Sequence, residues 1–81
     1  MSSQYTIALV DCERNVKSLA NFNRENLQCY QKRLKKTRFR DQVTDEDMYT
    51  IWLVVSYDQM LKINNFCKLK NIKLPLCKEE N

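Results

Sequence analysis

The chain has 81 residues and contains no glycine, no histidine and a single proline, Pro75. Glycine ordinarily makes up about 7% of a globular sequence. Its absence removes the residue that most readily adopts φ > 0, and with it the usual phosphate-cradling loops and tight α/β turns. Lacking histidine, the chain has neither the commonest general acid/base nor the commonest metal ligand. Cysteine without histidine lacks its customary base. No Gly-x-Gly-x-x-Gly, P-loop or His-Glu-x-x-His sequence occurs. These gaps predict a protein that is not an enzyme, binds no cofactor or metal and takes no small-molecule substrate.

Long hydrophobic runs are also missing. The longest, Ile51–Val55, falls far short of the roughly twenty residues a membrane-spanning helix needs. The N-terminus, Met1-Ser2-Ser3-Gln4, lacks the basic start of a secretory signal. An intracellular protein, cytoplasmic or nuclear, is therefore expected. The four cysteines, at positions 12, 29, 67 and 77, include no Cys-x-x-Cys pair. They read as reduced, mostly buried thiols, with a four-cysteine zinc site or two disulfides as alternatives.

What is present suffices for one small folded domain. Apolar residues make up 43% and charged residues 30%, with a net charge of +4, so the chain is not of the disordered class. From Glu13 to about Arg38, Val16, Leu19, Ala20, Leu27, Tyr30 and Leu34 share one face at 100° per residue, the pattern of an amphipathic helix. Asn23 interrupts the stripe and reads as an N-cap, with Phe22 and Leu27 placed as a hydrophobic staple. Thr44-Asp45-Glu46-Asp47 reads as a second helix start, because a hydroxyl and carboxylates suit the orphan N–H groups and positive dipole there.

These signals predict an all-α fold of two or three helices, about 4–38 with a break near Asn23 and 45–70. The helices would form a hairpin or small bundle with coiled-coil packing. The domain is expected over 1–72, with 73–81 as a frayed tail. An internal echo supports an alternative: Tyr5-Thr6-Ile7-Ala8-Leu9-Val10 returns as Tyr49-Thr50-Ile51-Trp52-Leu53-Val54, and Asn21-Phe22 as Asn65-Phe66 at the same offset. That echo predicts a β-α-β-α chain with strands at 5–10 and 48–56.

The most function-suggestive stretch is Lys32–Arg40, six of whose nine residues are basic: Lys32, Arg33, Lys35, Lys36, Arg38 and Arg40. Such a run docks on phosphates or an acidic protein surface. It also suits a solvated helix C-terminus, and Lys32-Arg33-Leu34-Lys35 matches a basic nuclear-import tetrapeptide. Tyr30 and Phe39 are placed to stack on unpaired bases. Phe22, Phe39 and Phe66 are candidates for apolar docking, whereas Trp52, between Ile51 and Leu53, reads as a core anchor. The function expected is a protein-protein interaction module, a regulator or complex subunit. It would dock another protein, or itself, through an amphipathic helix and the basic patch. The alternative is a nucleic-acid-binding helical domain using Lys32–Arg40.

Overall fold

In the computed structural model, which describes residues 4–80 and the side chains of 4–78, the chain is built around a sheet. The elements are β1 (Gln4–Cys12), α1 (Glu13–Phe22), a π-helical turn (Asn23–Leu27), β2 (Tyr30–Arg40), β3 (Asp47–Val55), α2 (Tyr57–Leu69) and β4 (Leu76–Glu80). All neighbouring strands are antiparallel, in the order β2-β3-β1-β4. This is the split β-α-β arrangement. Its two halves, β1-α1-β2 and β3-α2-β4, interleave so that β1 and β3 lie side by side in the centre.

Strand alternation decides the layers. Ile7 and Leu9 of β1 and Ile51, Leu53 and Val55 of β3 are buried on one face, where Val16 and Leu19 of α1 and Ile63 and Cys67 of α2 cover them. The intervening residues point to the opposite face, which no helix among the described residues covers. α2 starts with a reciprocal capping box: Ser56 Oγ accepts from the Gln59 N–H (3.3 Å), and Gln59 Oε1 accepts from the Ser56 N–H (2.9 Å).

The all-α expectation, with its helical bundle and coiled-coil packing, is overturned by this four-stranded sheet. The expected helix over 4–38 contains two strands separated by a helix, and the expected helix over 45–70 contains β3 before α2. β2 explains part of the misreading. Register shifts fall between Lys32 and Lys35 and between Lys36 and Arg40. Each bulge resets the alternation, so the half-buried positions Gln31, Leu34 and Thr37 are three apart and mimic a helix. Residues 5–10 and 48–55 of the β-α-β-α alternative lie in strands, whereas Ser56 caps α2, and that alternative lacks β2 and β4. β4 in turn occupies the tail expected to fray, pairing Cys77 with Ile7 and Lys78 with Thr6.

Two capping signals also act differently from expectation. Asn23 follows α1 with helical φ and ψ, so it is not an N-cap. Thr44–Asp47 does not open a helix; it closes the β2–β3 turn. There Asp41 Oδ1 accepts from the N–H groups of Val43 (2.8 Å) and Thr44 (3.2 Å). Side-chain oxygens satisfy orphan N–H groups equally well in a turn and at a helix start.

Without glycine, the chain places Gln28, Asp45 and Asn71 in the left-handed region, with φ of 56°, 59° and 59°. Asn and Asp tolerate this conformation through local hydrogen bonding, and Gln does so less well. Gln28→Gly should therefore raise stability in urea by about 0.5–1 kcal/mol. Leu19→Ala, which empties a fully buried site, should lower it by about 2–5 kcal/mol.

Candidate functional site

The uncovered face of the sheet is organised in cross-strand rows. One row runs Tyr30, Val54, Thr6, Lys78; the next runs Lys32, Trp52, Ala8, Leu76; a third runs Lys35, Thr50, Val10. These three rows contain no carboxylate. Trp52 is 44% exposed and Tyr30 64%. One groove beside Trp52 is lined by Thr6, Tyr30, Lys32 and Val54, and another by Lys32, Arg33, Lys35 and Thr50. Trp52 is thus not the core anchor its apolar neighbours suggested. β3 is apolar on both faces because its inner face meets the helices and its outer face carries this ring.

The internal echo gives the ring its setting. The two Tyr-Thr-Ile-x-Leu-Val copies differ only at Ala8 and Trp52, and these two residues are direct cross-strand partners. Ile7 pairs with Leu53 and Leu9 with Ile51, so the repeat builds a symmetric inner face. Outside, the small Ala8 methyl stands beside the large indole. Symmetry serves the core and is broken only on the open face.

The basic residues of Lys32–Arg40 divide into two groups. Lys36 Nζ pairs with Asp47 Oδ2 at 3.1 Å, and Arg40 Nε pairs with Asp45 Oδ1 at 3.3 Å and Asp47 Oδ1 at 3.7 Å. The Arg40 guanidinium also donates to the Asp45 carbonyl at 2.8 Å. These contacts brace the far end of the β2–β3 hairpin. Lys32, Arg33, Lys35 and Arg38 have no carboxylate partner among the described residues. Lys32 Nζ instead lies 6.0 Å from the centre of the Trp52 ring, within cation–π range.

The phenylalanines are dispersed. Phe22 and Phe66, equivalent positions of the echo, stack on each other with centroids 4.3 Å apart. Both are partly buried against the core, so the contact joins α1 to α2. Phe39 is exposed on the hairpin, away from Trp52 in sequence register. Lys78 and Leu76, which the topology adds to the face from β4, escape sequence reasoning because nothing local links residue 78 to residue 6. The signal that could have exposed Trp52 was its position opposite Ala8 in the echo.

Comparison with protein-family models, with curated proteins and with solved structures gives no match. The functional reading therefore rests on the residues themselves.

One polar device sets where β2 begins. Asn23 is 3% exposed, yet its amide is fully used. Nδ2 donates to the Cys29 carbonyl (3.1 Å) and to Gln31 Oε1 (3.1 Å), and Oδ1 accepts from the Cys29 N–H (2.9 Å). The side-chain amide thus stands in for a strand partner to Cys29 and aims the chain toward Tyr30. Of the cysteines, Cys77 is exposed, Cys12 and Cys29 are half-buried and Cys67 is buried. No group of three or more acidic, cysteine or histidine residues among the described residues could hold a metal ion. Burial, and secondarily the Asp11 carboxylate, push the Cys67 thiol from the ordinary 9.0 up to about 11.

Two measurements test these local accounts. Asn23→Ala strands the Cys29 N–H and carbonyl and should cost about 2–3 kcal/mol in urea unfolding. The raised Cys67 pKa means that the unfolded chain loses this proton first as pH rises. Its contribution is therefore intact below about 9 and lost on the way to about 11. Replacing Cys67 by Ala should flatten the decline of stability across that window.

Proposed function

We propose that this protein binds single-stranded nucleic acid on the open face of its sheet, with Trp52 and Tyr30 as stacking platforms and Lys32, Arg33, Lys35 and Lys78 as phosphate contacts. The observation that carries this reading is an exposed indole within three carboxylate-free rows that also hold Lys32, Lys35 and Lys78. Aromatic rings in a basic groove bind unpaired bases with little regard to sequence, each stacked base contributing about 1–3 kcal/mol. Tyr30 lies opposite Val54, two residues along β3 from Trp52. Side chains in that diagonal relation are about 7–8 Å apart, close enough to hold neighbouring bases. A duplex keeps its base faces stacked and cannot use the platform.

Four-stranded sheets that stack bases on exposed aromatics occur in RNA-recognition modules, an analogy of architecture only. The present chain differs in that β1 brings no aromatic to the face, offering Thr6, Ala8 and Val10. The charge pattern also weighs against self-association through this face, because a second copy would oppose lysine to lysine. An acidic protein partner would use the same cations, but it gives no role to an exposed indole beside a small residue.

The test is binding of a short oligo(A) or oligo(dT), read by Trp52 fluorescence, Trp52 being the chain's one tryptophan. Trp52→Ala should weaken binding about tenfold, followed by polarization of a labelled strand. Charge reversal of Lys32, Arg33 and Lys35 together should abolish binding at moderate salt and lower the salt slope by about two. The duplex of the same sequence should bind more weakly than its single strand. No binding at low ionic strength, or equal affinity for duplex, would refute the proposal.

A further inference from the structure

We infer that Lys32 is a removable cap on the Trp52 ring, which makes the platform select bases that arrive with a phosphate and turn away free nucleosides. The inference rests on the nucleic-acid reading of the open face and specifies its ligand. Lys32 and Trp52 are direct cross-strand partners, and the ammonium lies over the ring at 6.0 Å. The neighbouring cations do not share this position: Lys35 pairs with Thr50, and Arg33 lies at the bulge. Both grooves flanking Trp52 include Lys32 in their lining, so a planar ligand entering from either side meets it.

A base that stacks on Trp52 must displace this ammonium from the ring. A nucleoside offers the displaced cation nothing in return, and the lost cation–π contact counts against binding. A nucleotide within a strand brings a phosphate, and the flexible four-carbon lysine stem can carry the ammonium to it. The same residue therefore opposes one ligand and favours the other. A lysine that only contacted phosphate would affect the strand alone. Lys32 has no carboxylate partner among the described residues, so no ion pair holds it when the strand arrives.

Lys32→Met keeps the stem and removes the charge, and Lys32→Arg keeps the cation. Titrations with adenosine and with a short oligo(A) are followed by the Trp52 indole N–H resonance. In Lys32→Met, adenosine should bind about two- to fivefold more tightly than in the unmodified protein. Oligo(A) should bind less tightly, with a salt slope smaller by about one. Lys32→Arg should restore both values. Unchanged or weakened adenosine binding in Lys32→Met, with oligo(A) binding reduced, would overturn the cap and leave the platform standing. Oligo(A) binding untouched by Trp52→Ala would overturn the platform, and the cap with it.

Discussion

The structure depends on the pairing of β1 with β3. These two central strands set Ile7 opposite Leu53 and Leu9 opposite Ile51, forming the floor on which both helices pack. Strand alternation then fixes everything outside the core, because a residue neighbouring an inward one must point away. A one-residue slip would put Trp52 beneath the helices and Leu53 in solvent. The burial of Ile51, Leu53 and Val55 is therefore also what exposes the indole. Core and candidate site are two faces of one register.

The remaining strands occupy the edges and differ in how they meet solvent. β2 is long, carries two register shifts and is loaded with lysine and arginine, features that discourage pairing with a further strand. β4 is short and adds Leu76 and Lys78 to the open face. Charge is also divided along β2. The distal cations, Lys36 and Arg40, pair with Asp45 and Asp47 and brace the hairpin. The proximal cations beside Trp52 are left without carboxylates. A net charge of +4 is modest; its distribution matters more than its sum.

Absence of glycine did not confine the chain to helices. Gln28, Asp45 and Asn71 take the left-handed positions at a local conformational cost, each in a connection between elements. The helical pattern in the sequence arose from two coincidences. Leu9 and Cys12 of a strand fall in phase with Val16 and Leu19 of the helix that follows. Bulges give β2 half-buried positions at a spacing of three. Periodicity counts residues along the chain and cannot register an extra residue that has no cross-strand partner. The turn at Asp41–Glu46 misled in another way, since its oxygen acceptors are those of a helix cap.

Composition alone disposed of histidine chemistry and glycine phosphate loops, and the run Lys32–Arg40 was legible as the charged segment. The echo of Tyr5–Val10 at Tyr49–Val54 was legible too, although its meaning was not. These features are local, and local chemistry is written in residue order. Which cations stay unpaired, which face Trp52 takes and that Ala8 stands beside it were decided by tertiary structure. Each depends on strands meeting across dozens of residues, where register is selected by burying the whole inner face at once. No window along the chain contains that choice.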